Sequence, residues 1–478
     1  MWHGSSSEAR RDQSIREIVG ILTAMTETAN GGHDGRPPDR LPLRARLALI
    51  VGGLLLLAAF TVEALGITGN VHAWLPPLSA YLEPTFGEPA ALLTCLATAA
   101  VVVGYGTSAA SRLSWGRLLL LTWLTGVVWG FAVALLRGWN TGIVAVLDHP
   151  DEYLMDVDRV DGVTSLLSIY TDNILLVPDR YNFVTHNSGH PPLPLLSYAG
   201  LDAIGLGGPA WAGVLTALVG STAVVAVLVT LRRLGDERQA RRTAPFLALS
   251  PLAIWVFVSA DGAFMAVAAW GLAVLACAAV EQRPRRALAL GAAAGVVLGG
   301  CLFLSYGLLL LGPLALAVLW VAGSWRPLVP AALAALAVVA LFALGGFWWL
   351  EGQQLVVQRY YQGIADSRPQ SYWIWANLAV VAFAVGPAVV AGTGMAVSSP
   401  PKAPGTHAVW WLAAGALVAI GIADLSGLSK SETERIWLPF MVWLVPLATL
   451  LPTRTHRTWV ALQAVWTLGI SLILRTTW

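Results

Sequence analysis

Long apolar stretches separated by short polar connections dominate the pattern along this chain. About thirteen of them approach the roughly 20 residues that a helix needs to cross about 30 Å of hydrocarbon. They lie at 45–66, 89–108, 118–137, 209–231, 243–260, 263–280, 287–304, 306–323, 328–347, 372–393, 407–424, 436–451 and 459–474. The pattern predicts an all-α integral membrane protein with about 13 transmembrane helices. The count is least fixed around Asp261 and Ser305, where short stretches adjoin.

The polar segments divide the chain further. Residues 1–41 are polar, contain glycine and proline, and are expected to form a disordered cytoplasmic tail. Residues 42–117 hold two additional transmembrane helices, and residues 118–478 form the core. Three longer connections interrupt this core, at 138–208, 348–371 and 425–435.

Composition agrees with a membrane environment. Hydrophobic residues make up 56% of the 478 and charged residues only 12%, against about 25% charged in a soluble domain. Cys95, Cys277 and Cys301 all fall in apolar stretches, so they indicate neither a disulfide framework nor a metal cluster.

The placement of arginines predicts an orientation. With the N-terminus in the cytoplasm, every short basic connection falls inside, as the positive-inside rule requires. These connections hold Arg44, Arg46, Arg112, Arg117, Arg232, Arg233, Arg238, Arg241, Arg242, Arg283, Arg285, Arg286, Arg326, Lys402, Arg454 and Arg457. The three long loops then lie outside the cytoplasm, and the protein is predicted to be a multi-pass protein of the plasma (inner) membrane. Basic residues confined to short loops argue against nucleic-acid binding.

The first candidate site is an acidic run that follows a predicted span. It contains Asp151, Glu152, Asp156, Asp158 and Asp161 within eleven residues. Carboxylates at this density could ligate a hard divalent cation such as Mg or Mn, although no metal ligand is assigned. One of them could instead be a general base with a raised pKa. A solvated acidic loop is the alternative interpretation.

The second candidate follows in the same loop. Two prolines after His190 fix the backbone where the chain returns to the membrane, which would hold His186 and His190 at a defined depth. Residues 193–206 are apolar enough to form an interfacial helix. A histidine at this depth can bind a phosphate or a metal; alternatively, the prolines only start a helix that His190 caps.

Charged residues in later segments give further candidates. Asp261 ends or begins an apolar helix, where a carboxylate is costly unless it is wetted or paired. Lys430 and Arg435 are basic residues on a face that otherwise avoids them, which a lipid phosphate would explain. The alternatives are an exposed turn for Asp261 and pairing with Glu432 or Glu434 for the two cations.

The loop at 348–371 is rich in tyrosine, glutamine and arginine. Tyr360 and nearby aromatic residues suit carbohydrate surfaces, although an interfacial aromatic belt has the same composition. Arg359 and Arg368 also depart from the charge bias of this face. The sequence contains no P-loop, GxGxxG, HExxH or GxSxG motif, so nothing indicates nucleotide hydrolysis, hydride transfer or serine hydrolysis.

Taken in order, these segments resemble the GT-C superfamily of membrane glycosyltransferases. The residues that carry the resemblance are the external Asp-Glu-Tyr at Asp151–Tyr153, the His-Pro-Pro-Leu that begins at His190, SADGAFMAVAAW around Asp261 and ERIWLPF around Arg435. The set is most similar to the branch of protein O-mannosyltransferases and lipid A aminoarabinose transferases and covers about residues 118–450. The alanine-, arginine- and tryptophan-rich composition resembles that of actinobacterial proteins.

The resemblance implies a reaction and residue roles. It implies a polyprenyl-phosphate sugar as donor and a cell-envelope glycan or glycolipid as acceptor, with arabinofuranose, mannose or methylthioxylose as the sugar. Asp151 would be the general base, with Glu152 supporting it. His190, Lys430 and Arg435 would bind the donor phosphate. Substrate-binding roles would fall to Tyr153, His186, Asp261, Tyr360 and Arg368. A polytopic transporter or lipid-linked-sugar flippase is the rival, which would place charge pairs near the membrane midplane.

Overall fold

The computed structural model describes residues 41–67, 70–398 and 407–476. These residues are mostly helical, as the sequence predicts. The predicted tail, apart from Leu41, and Lys402 lie outside the described residues.

The helices and strands follow one another with short connections. The helices are α1 (Leu43–Ala64), α2 (Pro89–Val101), α3 (Thr107–Arg112), α4 (Trp115–Ala134), α5 (Ala145–Leu147), α6 (Val163–Ile169), α7 (Thr185–Gly189), α8 (Leu193–Ala203), α9 (Pro209–Ser221), α10 (Ala223–Arg233), α11 (Glu237–Ala248), α12 (Ala253–Val256), α13 (Ala260–Val280), α14 (Pro284–Leu304), α15 (Gly312–Ala322), α16 (Leu328–Leu344), α17 (Trp349–Tyr361), α18 (Gln370–Val385), α19 (Pro387–Ser398), α20 (His407–Leu425), α21 (Thr433–Ile436), α22 (Leu438–Met441) and α23 (His456–Ile473). Strand β1 (Ala80–Leu82) pairs antiparallel with β2 (Leu474–Thr476).

Seven helical stretches in the described residues are long and apolar enough to span a membrane. They are Leu43–Ala64, Pro89–Arg112, Trp115–Arg137, Pro209–Arg233, Ala260–Val280, Pro284–Leu304 and His407–Leu425. Three further pairs of helices qualify only as bent units, which raises the count to at most ten. The all-α membrane class is therefore confirmed, whereas the predicted 13 spans are not.

Glycine and proline interrupt two of the predicted spans. The predicted span at 372–393 bends by 113° between α18 and α19, where Gly386 has φ +80° and Pro387 starts the next helix. A glycine adopts this backbone conformation without a steric penalty. The predicted stretch at 243–260 ends early as a helix at Ala248, just before Pro251.

Burial separates the central helices from the peripheral ones. In the most apolar 18 residues of α13, about 67% of the residues are buried inside the protein, against 11% in α1. Helix α13 packs against α9, α10, α14 and α15, whereas α1 packs mainly on α18 and α19. The exposed leucine and isoleucine side chains of α1 are those expected of a helix that faces lipid.

The two ends of the bundle differ in charge. At one end, here called the arginine end, the Arg232 guanidinium lies 4.5 Å from the centre of the Trp115 ring, and Arg241 donates to the carbonyls of Ala110 and Leu113 at 2.9 Å. The other end, here called the loop end, gathers the loops at 138–208, 348–371 and 425–435. Arg232 and Arg241 of the short basic connections thus lie at one end, whereas Arg359, Arg368 and Arg435 lie at the loop end.

Small residues allow α14 and α16 to pack closely. Gly291, Gly295 and Gly299 repeat every fourth residue on the face of α14 that meets α16. A Cβ atom built on Gly295 would lie only 2.1 Å from the carbonyl oxygen of Ala331. Such small-residue faces are a common means of bringing membrane helices together.

This contact predicts a stability difference between two glycines of one helix. Gly295→Ala should destabilise the protein by about 1–3 kcal/mol because the added methyl group separates α14 from α16. Gly300→Ala should be neutral or slightly stabilising, since a Cβ at Gly300 meets nothing within 4 Å. Thermal unfolding midpoints in detergent would compare the two variants, and equal midpoints would contradict the close-packing interpretation.

Candidate functional site

Arg435 is the centre of an ion-pair network at the loop end. It lies on α21, and only 5% of the residue is exposed. Its guanidinium donates to Asp261 Oδ2 at 2.5 Å, to Glu432 Oε2 at 2.9 Å and to His186 Nε2 at 2.8 Å. A buried charge is stable only when it is paired and hydrogen-bonded. These three partners therefore hold Arg435 in one position.

Asp261 enters the network from the first turn of α13. The Ser259 side chain caps this helix by accepting from the Asp261 amide at 3.1 Å, and the residue Asp261 is 4% exposed. A carboxylate at a helix N-terminus also interacts favourably with the helix dipole. Position 262 requires glycine, because a Cβ atom there would lie 2.6 Å from the carbonyl oxygen of Val256. The Ser-x-Asp-Gly sequence thus aims one carboxylate at Arg435.

The turn before Arg435 has an unusual backbone. Ser431 and Glu432 have φ values of +76° and +62°, which non-glycine residues rarely adopt. The segment before β1 holds this turn, because the Ser79 amide donates to Glu434 Oε1 at 3.1 Å and its hydroxyl lies 2.9 Å from that of Ser431. Burial raises the pKa of Glu434 to about 7. Strained backbone that surrounding contacts enforce is common at functional sites.

His186 connects Arg435 to Glu152. Because arginine only donates, Nε2 of His186 must accept, which places the ring proton on Nδ1. Nδ1 lies 3.3 Å from Glu152 Oε1. Burial, reinforced by the Arg435 charge, lowers the pKa of His186, and burial raises that of Glu152 to about 7. A neutral His186 therefore lies between a buried cation and a carboxyl group that titrates near neutrality.

Asp151 occupies the rim of the same site. Its side chain is 52% exposed, whereas the residue Glu152 is only 6% exposed. Thr185 Oγ1 donates to Asp151 Oδ1 at 2.6 Å, and the Asp151 carbonyl accepts from the amide of His186 at 3.0 Å. Asp151 is thus positioned by α7 and open to solvent, so it is the carboxylate that a substrate can reach.

The remaining carboxylates of the acidic run do not join Asp151 and Glu152. Asp156 is buried and accepts from Tyr181, Val184 and Asn187, so it supports the loop. Asp158 and Asp161 are exposed. In the part of the chain that the structure describes, no three histidine, cysteine or carboxylate residues are grouped so that they could hold a metal ion.

His190 and Tyr153 belong to an aromatic cluster beside the network. Tyr153 stacks on His186, with ring centres 5.5 Å apart, and meets His190 edge-on at the same distance. His190 Nδ1 lies 2.9 Å from the carbonyl oxygen of His186, and burial lowers its pKa. Phe264 packs against both Tyr153 and His190. This cluster forms an apolar wall next to the ionic network.

Lys430, Arg368 and Tyr360 connect two of the loops. The Tyr360 hydroxyl accepts from the Lys430 amide at 3.0 Å, and Arg368 donates to the Lys430 carbonyl at 2.7 Å and to that of His72. Lys430 Nζ donates to the Ala365 carbonyl at 3.1 Å, and no described carboxylate lies within ion-pair distance of it. Arg368 therefore holds the loops together, while the charge of Lys430 is not neutralised by an acid.

Two site residues have roles that the sequence did not assign. Glu432 is a direct partner of Arg435, although the sequence suggested it only as an alternative. Arg359 lies near Asp151, and its Nε is buried without a hydrogen-bond partner among the described residues. The sequence signal for Arg359 as a site residue was that it is a basic residue on a face that otherwise avoids basic residues. Glu432 meets Arg435 within one loop, three residues away, whereas the position of Arg359 depends on how separate loops pack.

The buried carboxyl groups predict how stability depends on pH. Burial raises the pKa of Glu152 from 4.5 to about 7. Because the pKa is higher in the folded state, protonated Glu152 contributes to the free energy of unfolding. This contribution is complete below about pH 4.5 and is lost as the pH rises through about 7. Between pH 5 and 8, the free energy of unfolding of the wild type should therefore fall by up to about 3 kcal/mol more than that of Glu152→Gln.

Thermal unfolding midpoints at several pH values would measure this difference. Glu351→Gln, which removes an exposed carboxylate from α17, is the control and should follow the wild type. If Glu152→Gln and the wild type lose stability in parallel, the Glu152 carboxyl group is not the titrating group.

No family model matches the sequence. No curated protein matches it either. A function must therefore be inferred from the chain's own residues and from the geometry described above.

Proposed function

We propose that this protein is a membrane glycosyltransferase that works at the loop end of the bundle. Its donor is a polyprenyl-phosphate sugar that arrives from the membrane, and its acceptor is a hydroxyl group of a cell-envelope glycan or glycolipid. The loop end faces away from the cytoplasm in this proposal, in agreement with the positive-inside rule.

One observation carries the proposal. Residues from three distant parts of the chain, namely Glu152 with His186, Asp261, and Arg435, meet in a single contact network with Asp151 at its rim. A reactive carboxylate beside buried charges at a membrane boundary suits a reaction between a lipid-borne phosphate and a water-borne hydroxyl group. Structural connectors do not require such a set of costly buried ions.

The chemistry is a single displacement at the anomeric carbon. Asp151 takes the proton of the acceptor hydroxyl group, and the oxygen forms a bond to the anomeric carbon. The bond from that carbon to the phosphate oxygen breaks, and polyprenyl phosphate leaves with the electron pair. This displacement inverts the anomeric configuration. Glu152 and His186 fix the position of Asp151 through the backbone of the loop and α7.

The leaving phosphate needs positive charge nearby. Arg435 already has two carboxylate partners, Asp261 and Glu432, so much of its charge is neutralised. Lys430 and Arg359 have no acidic partner within ion-pair distance among the described residues. We assign the main phosphate contact to Lys430, with Arg359 beside Asp151 and Arg435 and His190 behind them.

Bent helices favour one rival function. Three pairs of helices are bent by 75°, 113° and 112°, and broken helices are common in transporters. A flippase would move the same lipid-linked sugar without cleaving it. The two functions differ in one product, because only the transferase releases polyprenyl phosphate.

The assigned base predicts the effect of one isosteric substitution. Asp151→Asn should reduce sugar transfer by about 10²–10⁴-fold, because it removes the proton acceptor while keeping the shape. The assay incubates purified protein with a panel of polyprenyl-phosphate sugars and cell-envelope acceptors and measures the polyprenyl phosphate released. Asp158→Asn, which changes an exposed carboxylate in the same loop, should keep full activity.

The same assay can also contradict the proposal. Release of lipid phosphate by Asp151→Asn at the wild-type rate would remove Asp151 from the mechanism. Movement of the intact lipid-linked sugar across vesicles, without any release, would favour the flippase.

The charge of Lys430 predicts that its removal changes the KM for the donor and not the KM for the acceptor. Lys430→Gln should raise the donor KM by about tenfold, as expected for the loss of one charge-assisted contact, and leave the acceptor KM nearly unchanged. Arg180→Gln is the control, since Arg180 is an exposed cation at the same end. Initial rates at varied donor and acceptor concentrations give both constants. An equal change in both KM values would count against a phosphate contact.

A further inference from the structure

A second charged site lies at the arginine end, far along the bundle from the carboxylate network. A cleft of about 470 Å³ opens where α3, α11 and α23 meet. Its charged lining is Glu237, Arg238, Arg241 and Arg242, with the Thr107 and Ser111 hydroxyls beside them. Three arginines thus face a single carboxylate in a space large enough for a phosphate group and its substituents.

The arginines of this cleft divide into one structural residue and two available ones. Arg241 pairs with Glu237 at 2.7 Å and donates to the Ala110 and Leu113 carbonyls, so it closes the end of α3. Glu237 is further occupied by Arg232 at 2.9 Å. The only carboxylate of the lining is therefore already used by other arginines.

Arg238 and Arg242 have no such partner. They are four residues apart on α11, so their side chains share one face of the helix. In the described ranges, no carboxylate lies within ion-pair distance of either guanidinium. Asp236 lies nearby, but it is 3% exposed and its side chain accepts from the Gln239 amide to cap α11. Two adjacent cations thus line the cleft with no described carboxylate within ion-pair distance, and Asp236 interacts with them only from farther away.

The position of the cleft identifies the source of an anion. Thr107, Ala110 and Ser111 end one of the helical stretches that can span a membrane, and His456 starts the last helix of a bent pair. The cleft therefore opens at the level where a lipid bilayer presents its headgroups. Two guanidinium groups with neighbouring hydroxyls match the oxygens of a phosphodiester, which arginine binds with paired hydrogen bonds.

We propose that this cleft binds the phosphate headgroup of an anionic phospholipid from the leaflet at the arginine end. Arg238 and Arg242 bind the phosphate, Ser111 and Thr107 face the rest of the headgroup, and Arg241 keeps the walls in place. The bound lipid would add a contact between α3, α11 and α23 to the direct packing of these helices. This site is independent of the function proposed for the loop end.

The test uses the full-length protein in neutral detergent. Phosphatidylglycerol is titrated against phosphatidylcholine, and bound lipid is counted by native mass spectrometry, with the rise in the thermal unfolding midpoint as a second readout. The wild type should prefer phosphatidylglycerol. Arg238→Gln with Arg242→Gln should weaken this binding by at least about tenfold, which corresponds to the loss of one charge-assisted contact or more.

Two further variants make the test specific. Arg283→Gln with Arg285→Gln removes two exposed arginines from the same end, outside the cleft, and should bind like the wild type. Ser111→Phe fills the cleft without changing its charge and should lose the lipid as the arginine variant does. Because Ser111 is exposed, this variant is expected to fold even if the double arginine variant does not.

Three outcomes would overturn the proposal. The first is unchanged phosphatidylglycerol binding by the cleft variants. The second is an equal loss in the control variant, which would show general attraction to basic residues. The third is full competition by inorganic phosphate at concentrations near that of the lipid, which would indicate a soluble phosphate ligand.

Discussion

The buried guanidinium of Arg435 is the constraint on which the loop end depends. Removing a cation from water costs several kcal/mol, and only well-placed partners offset that cost. The partners here come from the start of α13, from the turn before α21 and from α7. Three separate segments must therefore be in register before Arg435 can be buried. The position of the rim carboxylate Asp151 follows from the same requirement, since its carbonyl is hydrogen-bonded to the His186 amide.

The network gives two adjacent carboxylates, Asp151 and Glu152, different degrees of exposure. Asp151 and Glu152 are neighbours in sequence, yet the first is half exposed and the second is buried against His186. Burial raises the pKa of Glu152 to about 7, so this group is partly protonated at neutral pH. A partly neutral Glu152 limits the total negative charge around Arg435, which also has Asp261 and Glu432. The site therefore keeps an accessible carboxylate at its rim while repulsion in its interior stays limited.

Sequence reasoning was most successful where a single local pattern decides the outcome. The all-α class follows from the lengths of the apolar stretches. The predicted number of spans is not confirmed, and composition alone does not show that Gly386 and Pro387 bend one predicted helix by 113°. In the site, His186, Asp261 and Arg435 were each candidates from sequence and are in contact. The pairing of Arg435 with Glu432, three residues earlier, was one of the alternatives that the sequence offered. The position of Arg359 depends on long-range packing, which no local pattern encodes.

The two ends of the molecule show the same side chain under opposite electrostatic conditions. At the loop end, Arg435 is enclosed by carboxylates, because a buried charge without acidic partners would destabilise the fold. At the arginine end, Arg238 and Arg242 border an open cleft and remain without acids, because water or a lipid headgroup can solvate them. The arginine that is closed in is thus suited to fixing geometry, and those left open are suited to binding anions. Lys430 departs from this division, because it is only 8% exposed and its Nζ donates to the Ala365 carbonyl. No described carboxylate lies within ion-pair distance of it, so its charge is less neutralised than that of Arg435 and is more available to a phosphate that replaces this carbonyl contact.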